Sequence, residues 1–128
     1  MNRSIVVFGS NLQGHHGLGA ALFAKNNCGA EMGIGVGPTG FAYAIPTKKY
    51  NIRDRLSLAE IKPYVDDFIK YAKDHPEHLF DLTKVGCGYA GYSEMDIAPL
   101  FKDCPDNVRL ISDNGAIVCA AKDWNLTT

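Results

Sequence analysis

Ser4-Ile-Val-Val-Phe-Gly9, continuing as Ser10-Asn-Leu-Gln-Gly-His-His-Gly-Leu-Gly19 and then Ala20-Ala-Leu-Phe-Ala-Lys-Asn-Asn27, decides how the chain folds. Its first six residues form a short apolar run rich in β-branched side chains and closed by a glycine. The run shows no polar alternation, which predicts a strand covered on both faces, as in a parallel or mixed sheet under helices. Residues 17–27 then read as a helix, with Asn27 and Gly29 as stop signals. Between strand and helix lies a turn dense in glycine.

The rest of the chain repeats this grammar. Phe41 to Pro46 is a second strand candidate. Leu58, Ile61, Val65, Phe68 and Ala72 are spaced by three and four, which places them on one helical stripe. Ser57 and Glu60 resemble a capping box, although Pro63 moves the expected start of regular helix toward Glu60. His75-Pro76 ends this helix. Leu79 to Val85 reads as another strand, Asp96 to Lys102 as a short helix, and Val108 to Ile111 and Ala116 to Ala120 as two final strands. Strands alternating with helices imply a layered α/β fold.

Composition sets the outer limits. The 128 residues fit one domain, 1–128, able to bury a sufficient core without metal or disulfide. Apolar residues make up 46% and charged residues 21%, so extended disorder is not expected. A formal net charge of -1 gives no strong nucleic-acid signal. Cys28, Cys87, Cys104 and Cys119 are scattered without a C-x-x-C pair, which suggests free thiols in a reducing compartment. No basic-then-apolar leader and no membrane-length apolar run appears, so the expectation is a cytoplasmic protein without a membrane partner.

Two glycine-rich segments carry the candidate chemistry. The first is Gly9 to Gly19, placed where open α/β sheets bind ligands: after a strand and before a helix, whose N–H groups and dipole suit a phosphate. Its order, G-x-x-G-x-G, reverses the dinucleotide fingerprint, and it lacks the Gly-Lys-Ser/Thr of a P-loop. The glycines serve either a phosphate or merely a tight turn and close helix packing. The second is Gly86-Cys-Gly-Tyr-Ala-Gly-Tyr92, again after a strand. Two such turns can converge on one ligand, with Tyr89 and Tyr92 either covering sugar or base or packing the loop.

In their order and spacing these residues resemble a macro domain. Val7-Phe-Gly-Ser-Asn11 followed by Gly14-His-His-Gly-Leu-Gly-Ala-Ala21 looks like the segment in which an asparagine ends a strand before a glycine-rich helix start. Val85-Gly-Cys-Gly-Tyr-Ala-Gly-Tyr92 looks like the loop that wraps the diphosphate. Tyr43-Ala-Ile-Pro-Thr-Lys48, a helix, then Val85-Gly-Cys-Gly88 is similar to the terminal ADP-ribose glycohydrolase branch, and the whole to small macro-like proteins of phages and bacteria. The resemblance spans residues 4 to 102.

That resemblance implies a three-layer α/β/α fold with a mixed, mostly parallel sheet. It also implies an ADP-ribose-type ligand, free or carried on an ADP-ribosylated macromolecule, and a cytoplasm that is bacterial or that of a phage-infected host. The ligand's diphosphate would lie between residues 14–19 and 86–92, touching Ser10, Gly14, His16, Gly17, Leu18, Gly19, Gly86, Cys87, Gly88, Tyr89, Ala90, Gly91 and Tyr92. Asn11 would bond the distal ribose, its amide offering donor and acceptor to vicinal hydroxyls; otherwise it caps its own loop. Lys48 falls where the branch carries its nucleophilic lysine; otherwise it is an ordinary solvated lysine. No metal or redox cofactor is implied.

Departures from the family's pattern matter equally. Ala90 stands where the branch has its acidic partner. Asp96, with Glu94 nearby, is the closest carboxylate and either acts in its place or caps the short helix. The aspartate that recognises the adenine amino group has no counterpart. His15 and His16 are neighbours whose side chains diverge, so a shared metal is a poor fit, while one of them near a phosphate is a candidate acid or base. Cys87 is either a reactive thiol or a small side chain fitted beneath its loop. The expectation is an ADP-ribosyl hydrolase. Its rivals are a binding module without turnover and a generic nucleotide or NAD site.

Overall fold

A computed structural model describes residues 3–17, 19–50, 54–88 and 90–128. Its elements are β1 (Ile5–Asn11), α1 (Gly19–Cys28), β2 (Gly37–Thr39), β3 (Ala42–Lys48), α2 (Leu58–Asp74), β4 (Phe80–Leu82), α3 (Glu94–Ile97), β5 (Val108–Ile111) and β6 (Ile117–Ala120). Short 3-10 helices cover Ala98–Phe101 and Ala121–Thr127. The strands form one mixed sheet in the order β2-β3-β1-β4-β5-β6. The inner pairings, β3 with β1, β1 with β4 and β4 with β5, are parallel, and the two edge pairings are antiparallel.

Period-2 alternation along β1 splits the core in two. Val7 joins Tyr43 and Ile45 of β3, the stripe Ile61, Val65, Phe68 and Ala72 of α2, and Phe101 and Trp124 near the end of the chain. Phe8 points to the opposite face and meets Ala21, Ala24 and Cys28 of α1 together with Ala42 and Ala44. Helices therefore cover both faces of the sheet. The alanines let α1 sit close against the strands, whereas the other face is filled by large aromatic and branched side chains.

Local chemistry explains the element ends. Ser57 caps α2 by accepting from the Glu60 N–H, and the Glu60 carboxylate accepts from the Ser57 N–H, so the capping box is complete. The helix thus begins at Leu58, and Pro63 lies inside it, on an exposed face near the start. The strand expected over Leu79 to Val85 is paired only from Phe80 to Leu82. The short helix begins at Glu94, with Ser93 as its cap, rather than at Asp96. Strand β2 has no counterpart in the expected elements. Among the described residues no helix is long and apolar enough to cross a membrane.

Candidate functional site

Beyond Val7 the strands β1 and β4 part company, because β4 stops at Leu82 while β1 continues against β3 as far as Asn11. Connectivity turns at the same place: from β1 the chain moves to β3 on one side, and from β3 it crosses to β4 on the other. A reversal of this kind leaves a crevice at the carboxyl ends of the strands. A cleft of about 1150 Å³ occupies it, slightly above the usual ~300–1,000 Å³ of small-molecule sites. It crosses the ends of β3, β1, β4 and β5, three inter-strand steps or about 14 Å.

Both glycine-rich turns reach this cleft. Of the residues singled out from sequence, Ser10, Asn11, Gly17, Gly19, Lys48, Gly86, Cys87, Gly88, Ala90 and Tyr92 line it. Gly14, His16, Gly91 and Asp96 are not among its lining residues. Leu18 and Tyr89 lie outside the described residues.

The floor is shaped by a break in register. Ser10 pairs with Pro46, but Asn11 pairs with Lys48, so β3 carries one extra residue, Thr47, opposite β1. Such a bulge re-aims the side chains around it. Here it sets Lys48 directly beside Asn11 in the lining of the cleft. Lys48 is half-buried, and burial lowers its amine pKa from the usual lysine value. Asn11 is 7% exposed and its amide grips its own loop, Oδ1 accepting from the His15 N–H at 2.9 Å and Nδ2 donating to the His15 carbonyl at 3.1 Å. An amide has a second N–H and further lone pairs, so this pairing leaves capacity for a ligand hydroxyl.

Of the adjacent histidines, His15 faces the cleft and His16 faces the core. The expectation that His16 meets a phosphate is corrected accordingly. Its ring is 0% exposed, packs edge-on against Phe8 at 5.2 Å, and places Nε2 3.0 Å from the Ile34 carbonyl. Burial, the largest influence, lowers its pKa, while the backbone of Glu31 and Ile34 pulls the other way. Nδ1 is buried without a hydrogen-bond partner among the described residues. An imidazole so placed is neutral and structural.

Gly14 is also structural: it adopts φ +70°, and a Cβ there would lie 2.3 Å from the Gly33 backbone. Asp96 turns back onto Ser93, accepting from its hydroxyl at 3.0 Å and its N–H at 3.4 Å while the Ser93 hydroxyl accepts from the Asp96 N–H. The carboxylates that do line the cleft are Glu94 and Asp113. Cys87 is no ready nucleophile, since burial and then the Glu94 charge push its thiol up to about 11. Tyr92 packs its loop: its hydroxyl donates to the Leu56 carbonyl at 2.6 Å, and Arg55 stacks over its ring at 4.1 Å. Arg55, which sequence reasoning did not single out, also donates to the Ala90 carbonyl at 3.3 Å and so ties this turn to the segment after β3.

No protein family, curated protein or solved structure that was compared with this chain matches it.

Proposed function

We propose that the chain is a macro-domain-like protein that binds an ADP-ribose-type ligand across this cleft and cleaves the bond between the distal ribose and an attached group. One observation carries the reading: two glycine-rich turns, separated by about half of the sequence, meet over one cleft at the strand-order reversal, with Asn11 and Lys48 side by side in its lining. Backbone amides and glycine permit close approach of a diphosphate. A half-buried lysine with a lowered pKa suits attack on the anomeric carbon. In that step the amine nitrogen bonds to C1 of the ribose as the bond to the departing group breaks and an amine proton passes to the departing group. The ring then opens, the remaining N–H proton passing to the ring oxygen, to give an imine that borohydride reduces. Water then releases the sugar from the lysine.

Ligand identity is tested by thermal unfolding with ADP-ribose, ADP, AMP, NAD and cyclic ADP-ribose isomers. Ligand at a hundredfold excess over its Kd stabilises by about 2.7 kcal/mol. The reading expects ADP-ribose to head this panel and Asn11→Ala to erase the difference. Equal affinity for NAD would favour a generic nucleotide site instead. For turnover, borohydride added during incubation with ADP-ribosylated substrate should trap an adduct that is absent in Lys48→Ala.

A second reading, a binding module without turnover, is favoured by Ala90. It is buried in the second turn, where the resembled branch has its acid, and Asp96 does not replace that acid in the cleft. Tight binding with neither product nor trapped adduct would select it.

A further inference from the structure

The cleft contains a second amine that the proposed chemistry leaves unused. Lys84 stands between the end of β4 and the second glycine-rich turn, two strands across the sheet from Lys48. Its side chain is 31% exposed, and its partner among the described residues is Glu94, with Nζ 3.5 Å from Oε2. That separation is at the outer limit of a hydrogen bond and well beyond the ~2.7–2.9 Å of a strong ammonium–carboxylate contact.

Glu94 is held from elsewhere. Its Oε1 accepts from the indole N–H of Trp124 at 2.9 Å, and Trp124 is a fully buried core residue whose ring lies tilted against Phe101 at 5.7 Å. The carboxylate is therefore fixed to the core independently of the lysine. Lys84 carries three donors on a flexible stem, so it can leave a long contact without leaving Glu94 unbonded.

We infer that Lys84 is the cation that receives the ligand's phosphate, with Glu94 as a built-in counter-ion that holds this charge until an anion displaces it. A half-buried ammonium needs a partner when the cleft contains only water. A phosphate offers more charge and more acceptor oxygens than the carboxylate, and Glu94 keeps its indole bond when the lysine moves. The arrangement makes the empty site nearly neutral at this point and sets a threshold against singly charged carboxylate ligands, which match Glu94 rather than exceed it. The inference rests on the proposed phosphate-bearing ligand and adds the residue pair that selects for it.

The test is calorimetric titration with inorganic pyrophosphate, ADP and ADP-ribose, with adenosine as the uncharged control. The proteins are the wild type, Lys84→Gln, Lys84→Arg, Glu94→Gln and Lys84→Gln/Glu94→Gln. Glutamine at 94 retains an oxygen for the indole N–H but no charge, so Glu94→Gln should bind the anions severalfold more tightly. Lys84→Gln should bind them about tenfold more weakly, and Lys84→Arg should stay near wild type. The tightening by Glu94→Gln should shrink in the Lys84→Gln background, and adenosine should distinguish none of the variants. The anion affinities should fall with added salt, less steeply in Lys84→Gln. Wild-type binding that Lys84→Gln leaves unchanged overturns this inference while sparing the proposed function. Failure of the wild type to bind all three anions overturns both.

Discussion

Gly86 and Gly88 flank Cys87 in the second turn, and the structure assigns them opposite reasons for being glycine. Gly86 adopts φ +80°, and a Cβ there would lie 2.9 Å from Cδ1 of Ile97, a buried core side chain. Left-handed backbone alone costs a non-glycine residue ~1–2 kcal/mol, and crowding Ile97 adds to it. Gly86→Ala is therefore expected to destabilise by about 2–3 kcal/mol. Gly88 has no positive φ, and a Cβ there would meet no described atom within 4 Å. With a compatible backbone, Gly88→Ala should be neutral or stabilise by about 0.4–1 kcal/mol through the unfolded chain. Yet Gly88 lines the cleft, so its new methyl would enter the space assigned to the diphosphate. Denaturant melts and ADP-ribose titrations on both variants give the readout. Gly88→Ala should retain its melting midpoint and lose ligand affinity at least tenfold. A stable Gly88→Ala that binds ADP-ribose like the wild type would refute the placement of ligand against this turn, and a destabilised one would refute the conformational argument.

Three further outcomes are expected. His16 has a folded-state pKa below the ordinary 6.5, so the unfolded chain takes up the proton first, and stability should fall as pH drops below about 6.5. Urea unfolding across that range should show the slope, and His16→Gln should flatten it; an unchanged slope would exclude His16 as its source. Asp96→Asn should cost no more than about 1 kcal/mol and leave ADP-ribose affinity intact, because its contacts are those of a capping box; a tenfold affinity loss would return Asp96 to the site. Iodoacetamide labelling of Cys87, followed by peptide mass analysis, should be slow near neutrality and still rising at pH 10, given a thiol pKa near 11; a rate already level by pH 8 contradicts that.

The sequence revealed elements whose residues carry their own signal. Residues 5–8 are apolar throughout, the stripe Leu58 to Ala72 repeats every three or four residues, and Gly29 turns at φ +74° just after α1 ends. What stayed hidden depends on partners distant in the chain. Strand β2 is only Gly-Pro-Thr, with no alternation to read, and exists because β3 offers it a ladder. The choice between Glu94 and Asp96 turned on where the helix starts. Residues two apart on a helix diverge by about 200°, so with Ser93 as the cap Asp96 faces the cap and Glu94 the cleft. Adjacent histidines gave no hint which would be buried, because that was decided by the Ile34 carbonyl and the Phe8 ring. Trp124 lies in a 3-10 turn beyond the last strand, where spacing alone could not link it to Glu94.

The extra residue in β3 makes the strand's chemistry a matter of parity. Deleting Thr47 would leave Lys48 opposite Asn11 in an unbroken ladder, whereas closing the bulge with Thr47 retained would pair Asn11 with Thr47 and turn the amine of Lys48 to the other face. Regularising the central pairing of β1 with β3 in the second way should therefore keep the fold and separate the two side chains on which the proposed reaction rests.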